Sequence, residues 1–239
     1  MSFTSRVKAE LGSLDLAARC CVTAELGGMI LGASVLTLSG RRQISLGFRT
    51  ESAAVLRRAL RLFNAAGPAA SRPRLMLRER MAGRREYVLQ LSDADSHRLL
   101  REQGMLRRDE AGEDRFAAPR RVMRRNCCRR AYLRGAFMAC GYIADPRRRY
   151  HVEWVCHDHP RAMRLKRVLA QVGLRAGLSA RRGSALVTLK DGDQVAELLK
   201  MMGASLAVLS MENIPFLAVV KTRVIISGTP PRVNVRVSP

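Results

Sequence analysis

The sequence is short of acids. Its 239 residues hold 20 Asp and Glu against 43 Lys and Arg, a formal net charge of +23, and arginine supplies 38 of the 43 cations. A GC-rich genome would exchange lysine for arginine, but it would not remove carboxylates. The surplus therefore predicts a polyanionic partner, and nucleic acid is the commonest one. Long apolar runs are missing too. The longest, Ala24 to Leu38, is broken by Glu25 and by the small residues Gly27, Gly28, Gly32, Ala33 and Ser34. It is too short and too interrupted to span a bilayer, so no membrane partner is expected. The opening MSFTSRVKAEL lacks the shape of a secretory signal, which makes a soluble, cytoplasmic protein the expectation. CxxC is absent as well. The six cysteines, at 20, 21, 127, 128, 140 and 156, read as free thiols in a reducing compartment, since adjacent cysteines do not readily bridge. Cys156-His157-Asp158-His159 carries metal-type ligands. Structural zinc needs four, however, and no second pair has suitable spacing. No metal and no cofactor are therefore expected.

What is present is a chain written twice. Cys20-Cys21 and Cys127-Cys128 lie 107 residues apart, and at that offset Ala24 matches Ala131, Leu26 matches Leu133 and Gly28 matches Gly135. CCVTAELGGMILGAS is thus an earlier copy of CCRRAYLRGAFMACG. Both have helical apolar spacing with small residues along one stripe. Each copy is followed by a turn (Ser39 to Arg42, Asp145 to Arg148) and an alternating run (43–49, 150–155) that reads as a hairpin strand. Amphipathic helices follow, Ser52 to Asn64 stopping at Gly67 and Pro160 to Val172 stopping at Gly173. A second hairpin comes next in each half, 74–79 with 86–91 and 176–181 with 185–190. Leu91-Ser92-Asp93-Ala94-Asp95 then matches Leu189-Lys190-Asp191-Gly192-Asp193, opening helices that stop at Gly104 and Gly203. In each pair of aspartates, one is expected to turn the chain and one to cap the helix.

Each half is therefore an α-β-β-α-β-β-α unit in an α+β fold. The first half spans 1–106, a charged linker 107–126, the second half 127–213, and a divergent tail 214–239. The repeated helices are expected to pack at a pseudo-two-fold axis through Gly28, Gly32, Gly135 and Ala139, with Ala24 and Ala131 beside them. Glycine there allows close backbone approach. Two four-stranded sheets would then form a saddle.

This arrangement resembles the LAGLIDADG homing endonuclease fold. Its signature helix ends in an acid, a small residue and a catalytic acid. In this chain the catalytic-acid positions are Ala33 and Cys140, and the preceding acid positions are Leu31 and Met138. The nuclease needs carboxylates there to hold divalent cations. Without them the chain is expected not to be an enzyme. A closer resemblance is to the WhiA family of bacterial DNA-binding regulators. It is carried by MSFTSRVKAEL, CCVTAELGGMILGAS, CCRRAYLRGAFMACGYIADPRRRYHVEWV and LVTLKDGDQVAELLKMMGA, across about residues 1–213. That resemblance implies a catalytically dead LAGLIDADG-type domain followed by a helix-turn-helix. It also implies roles in transcription, sporulation, cell division and chromosome segregation of Gram-positive bacteria, on double-stranded DNA in the nucleoid, and with a regulatory protein partner such as a transcription factor. After Met211-Glu212-Asn213 the family pattern stops, so this chain is expected to lack the helix-turn-helix.

In the nuclease fold the sheet saddle lies on the duplex. The basic residues expected to bind DNA are those at hairpin turns and strand ends: Arg41, Arg42, Arg49, Arg84 and Arg85 in the first half, with Arg147, Arg148, Arg149, Arg181 and Arg182 in the second. A second cluster, including Arg124 and Arg125, runs into the second signature helix. Turn arginines suit phosphate contacts, which fix register and give salt-sensitive affinity. The competing reading is a protein-interaction scaffold, whose saddle holds a partner protein. A basic saddle favours the first, and a neutral or apolar one the second.

Overall fold

The structure is a computed structural model that describes residues 1–39, 43–66, 73–80, 84–102, 106–108, 114–116, 122–181 and 183–212. Its centre is a pair of fifteen-residue helices, α2 (Arg19–Ala33) and α5 (Asn126–Cys140). α1 (Phe3–Ser13) precedes them. Ser2 caps it by accepting from the Ser5 N–H, and Phe3, Val7 and Leu11, four residues apart, bury one stripe. The repeated segments are indeed paired helices up to Ala33 and Cys140, with Ser34 and Gly141 opening the strands that follow, and the two helices pack directly on each other.

The reason for that close approach is two glycines. A Cβ on Gly28 would overlap the Tyr132 carbonyl oxygen and come within 2.8 Å of the Ala136 nitrogen. A Cβ on Gly135 would overlap the Glu25 carbonyl oxygen and lie 3.0 Å from the Met29 nitrogen. The neighbours are backbone atoms, so no side chain can turn away. Ala24 and Ala131 are fully buried beside them. Ala139 is half-buried at the edge of the core. Gly32 lies within α2, and its surroundings are outside the described residues.

The two halves repeat strand for strand. β1 (Ser34–Ser39), β2 (Gln43–Thr50), β3 (Arg74–Arg80) and β4 (Arg84–Gln90) form one antiparallel sheet in the order β1-β2-β4-β3. Between the sheets in sequence, β5 (Leu106–Arg108) pairs with β6 (Asp114–Phe116), so the charged linker expected over 107–126 carries paired strands and its pairing begins at Leu106. β7 (Gly141–Ile143), β8 (Val152–Cys156), β9 (Gly177–Arg181) and β10 (Ser184–Leu189) take the order β7-β8-β10-β9. The crossover helices are α3 (Ala53–Ala66) and α6 (His159–Gln171), and the closing helices are α4 (Asp93–Glu102) and α7 (Gly192–Met202).

Helices α6 and α7 follow the cap rule, α5 starts after Arg125 with no side-chain cap, and α4 brings a correction. Asp158 accepts from the Arg161 N–H at 2.8 Å, and Asp191 from the Gln194 N–H at 2.9 Å. In the first half the cap on α4 is not an aspartate. Ser92 Oγ accepts from the Asp95 N–H at 3.2 Å, and its hydroxyl donates to the Asp95 carboxylate at 2.7 Å. Serine and aspartate do the same job for the orphan N–H groups, so the repeat tolerates the change. Gly173 and Gly203 stop their helices at φ +87° and +91°. Gly67, Gly104 and the tail after Asn213 lie outside the described residues.

α1 reaches across to the second half. Thr4 Oγ1 donates to the Ile143 carbonyl at 2.7 Å and accepts from the Ile143 N–H at 3.1 Å, doubling an edge of β7. Glu10 accepts from the N–H groups of Leu206 and Ala207 at 2.6 and 3.2 Å, capping the helix at residues 205–212.

Candidate nucleic-acid interface

Strand alternation decides which side chains leave the core. Leu46, Phe48 and Leu89 point toward the helices and are buried in the main core. The residues between them face the other way. On that open face of the first sheet, Arg49 stands across from Val88, Val88 from Met76, Arg78 from Glu86 and Arg74 from Gln90. Arg49, Arg74 and Arg78 are exposed. The open face therefore carries an arginine on β2 and two on β3. Buried Glu86 lies among them.

The second sheet departs from the first at matching places. Val88 corresponds to Leu186; both are buried, yet both stand outside the main core cluster. Leu186 pairs with Val155 where Val88 pairs with Arg49. Val155 is 44% exposed and Tyr142, on the same face, 47%. Arg181 opposite Ser184 takes the place of Arg78 opposite Glu86. So one half presents a basic open face, and the other a more apolar one on which Glu153 stands between Tyr142 and Thr188, with one described arginine, Arg181, at its end.

The expected arginines thus separate into groups. Arg49, Arg147, Arg148, Arg149 and Arg181 are exposed at strand ends or turns. Arg147 is held by Asp145, donating from Nε at 3.1 Å and from Nη2 at 2.7 Å. Asp145 also accepts the Arg147 N–H at 3.0 Å, the Asp-Pro turn read from sequence. Hydrogen bonds from Arg147 hold the Asp145 carboxyl down at about 2. Arg85 is exposed but on the helix side of its sheet, across from Glu79. Arg84 lies in β4, and its side chain is outside the described residues. Arg41, Arg42 and Arg182 lie outside them altogether. Arg124 and Arg125 are exposed at the start of α5. A fifteen-residue helix is about 22 Å long, and that length separates them from the sheets. Arg74 and Arg78 do not figure among the arginines expected from sequence, Arg78 because it lies inside β3 and Arg74 although it opens that strand. The alternation of Arg74, Met76 and Arg78 was the available signal.

The helix ends feed straight into the sheets, where the nuclease fold would hold its acids. Ala33 closes α2, and its side chain lies outside the described residues. Cys140 closes α5 and donates to the Ala136 carbonyl at 3.4 Å. Contact with Cys156 and burial push the Cys140 thiol well up, leaving it neutral. The cation beside it is Lys8 of α1. Burial lowers its ammonium to about 8, partly opposed by Cys140. Lys8, Arg49, Glu86 and Ala139 share the wall of a cleft of about 750 Å³.

Lys8 makes a prediction of its own. Its folded pKa, about 8, is below the free value of 10.5. Between those values the unfolded chain holds a proton that the folded chain does not. Stability should therefore rise with pH over that window. Lys8→Met should stabilise the protein at neutral pH by about 1–3 kcal/mol, after discounting for the part of the side chain that solvent reaches, and should flatten the rise. Urea melts of both proteins from neutral to alkaline pH test this; parallel curves would refute it.

Glu25, read from sequence only as an interruption, is buried. Arg58 of α3 donates to it from Nε at 2.7 Å and from Nη2 at 2.9 Å. Arg134 of α5 brings its Nε within 3.3 Å. Arg58 also donates to the Leu14 carbonyl, which Arg61 reaches at 3.3 Å. One carboxylate thus ties both halves together behind the interface.

A family model described as the WhiA LAGLIDADG-like domain matches residues 129–221. The "Probable cell division protein WhiA" of Heliobacterium modesticaldum is 35% identical over 215 residues, covering 90% of this chain and 67% of the relative. The chain belongs to the WhiA family. A second relative of the same description, from Desulforudis audaxviator, is 36% identical over 217 residues, covering 89% of this chain and 67% of its own. Among solved structures, full-length DUF199/WhiA from "Thermatoga maritima" superposes with a TM-score of 0.70 at 17% identity, over 95% of this chain and 74% of that one. The endonuclease I-DmoI, solved in complex with DNA and Mn, gives 0.51 at 12% identity, over 78% of this chain and 98% of its own. These likenesses confirm the LAGLIDADG homing-endonuclease-like fold of this WhiA-family chain. Among its described residues no helix is long and apolar enough to cross a membrane.

Proposed function

We propose that this WhiA-family chain is a non-enzymatic DNA-binding protein that regulates transcription and acts in sporulation, cell division and chromosome segregation at the nucleoid. The observation that carries the reading is the open face of the first sheet, where Arg49 projects from β2 and Arg74 and Arg78 from β3, on either side of β4. Arginines so placed neutralise phosphates and release counterions. The I-DmoI structure, in complex with DNA and Mn, has the same fold. The lack of strand cleavage rests on the second helix end, where Cys140 and the Lys8 ammonium stand where a metal-holding acid would. A thiol and a cation do not make a magnesium site.

Duplex binding at about 50 and about 200 mM salt tests this. Affinity should fall steeply with salt, and Arg74→Ala with Arg78→Ala should reduce the log–log slope by about 2. Negligible binding even at the lower salt would sink the reading. A second reading has its own observation, the exposed Tyr142 and Val155 on the other sheet. That apolar face suits a regulatory protein partner bound beside the DNA. A photo-crosslinker at position 142 should then capture a protein in cells, and capture of none would remove this reading.

A further inference from the structure

We propose that Cys20, Cys21, Cys127 and Cys128 together bind one tetrahedral zinc ion, which clamps the two halves of the fold at the N-terminal ends of α2 and α5. Linear spacing hides such a site, because the two ligand pairs come from segments 107 residues apart. The pseudo-two-fold axis brings them together. Each pair occupies the second and third positions of its helix. The Sγ atoms are 4.0 Å apart within the first pair and 3.8 Å within the second, and all four lie within 4.8 Å of one another. In a ZnS4 tetrahedron with bonds of about 2.3 Å, the sulfur–sulfur edge is about 3.8 Å. The thiols therefore stand almost at the vertices, and the longest separation must close by only about an ångström.

Two consecutive residues of one helix do not usually serve one ion, but helix geometry explains why they can here. Adjacent side chains on a helix diverge by about 100°, which spreads the two sulfurs of each pair along one tetrahedral edge. The other helix supplies the opposite edge. A disulfide inside either pair is disfavoured by the same divergence, and the six cysteines are all free thiols.

The surroundings suit the charge. Four thiolates around Zn(II) leave a net −2. The N-termini of two helices converge at this point, each presenting the positive end of its dipole. Arg129 fixes the approach to Cys127, donating to the Met123 carbonyl at 2.9 Å and to Asn126 Oδ1 at 2.7 Å. All four positions of the ion would be filled by protein, which is the closed arrangement of a structural site. The site lies a helix length from Cys140, so it is separate from the interface. A multi-iron cluster would hold its thiolates further apart than these sulfurs stand.

The test is metal analysis of the full chain purified under reducing conditions, with no added metal. One equivalent of zinc per chain is expected. Replacing that metal with Co(II) should give the intense visible bands and thiolate charge-transfer absorption of a tetrahedral tetrathiolate site. X-ray absorption at the zinc edge should show four sulfurs at about 2.3 Å. Cys20→Ser with Cys127→Ser, the two outer ligands, should lose the metal, while Cys140→Ser and Cys156→Ser keep it. Stripping zinc with a chelator should lower the melting temperature, on the order of 10 °C, and zinc should restore it. If the double serine variant fails to fold, the absorption spectrum of the unaltered protein decides. A metal-free chain with four titratable thiols, interhelical disulfides, an iron–sulfur chromophore, or zinc with nitrogen or oxygen ligands would each overturn the proposal.

Discussion

Gly135→Ala is expected to destabilise the fold by about 3 kcal/mol or more, at the top of the range for overpacking. The new methyl group would sit on the carbonyl oxygen of Glu25, with the Met29 nitrogen 3.0 Å away. Both are backbone atoms of a straight helix. Relief requires α2 and α5 to move apart, and the whole axis seam then loses dispersion contacts and water exclusion. A chain of this size should drop in melting temperature by roughly 6–12 °C. Gly28→Ala should do the same, since its Cβ would meet Tyr132 and Ala136 in the mirrored geometry. The control is Gly183→Asn. That glycine has φ +81° and open space around it, and asparagine tolerates the left-handed region. Thermal melts of the three variants separate the cases. Equal melting temperatures would mean that the helices are not in backbone contact.

Glu25→Leu should cost about 3–5 kcal/mol, the penalty for breaking a buried ion pair from one side. The loss comes less from the missing attraction than from what remains. Arg58 is fully buried and would keep its charge with only the Leu14 carbonyl as acceptor. Arg134 is less exposed to this penalty, because its side chain is 13% accessible and can turn to water. Adding Arg58→Met should therefore recover a large part of the stability, since the stranded cation is gone and Arg61 still donates to Leu14. A double-mutant cycle in urea measures the coupling. Additive losses would show that Glu25 and Arg58 do not depend on each other.

The repeat was legible because the helix motif keeps its cysteine pair, its alanine and its glycine at one offset. Hairpins and cap residues then placed the elements to within a few positions. Three things were not legible, each for a physical reason. The Glu25 network joins residues 33 apart on one side and a different half on the other, so no local period announces it. The face of an arginine on a strand depends on which side of the sheet the helices cover, so the sequence of β4 does not announce that Arg85 stands on the helix side, across from Glu79. Metal-ligand spacing rules see one segment at a time, and the cysteine pairs converge only through the fold's own symmetry. The cap on α4 moved from aspartate to serine because either oxygen satisfies the same N–H groups.

The Glu10 contact has a consequence for how the chain is made. It joins residues 196 and 197 positions apart. During synthesis α1 leaves the ribosome first, and the helix it must cap leaves more than a hundred and ninety residues later. Until then the Glu10 carboxylate has no N–H groups to accept from, and the Thr4 hydroxyl waits for Ile143. The first half can therefore fold early while its leading helix stays unlatched. A pause in translation before residue 206 would leave that latch open, with Phe3 and Val7, which face Leu206 and Ala207 in the folded chain, offered to whatever chaperone or protease is near.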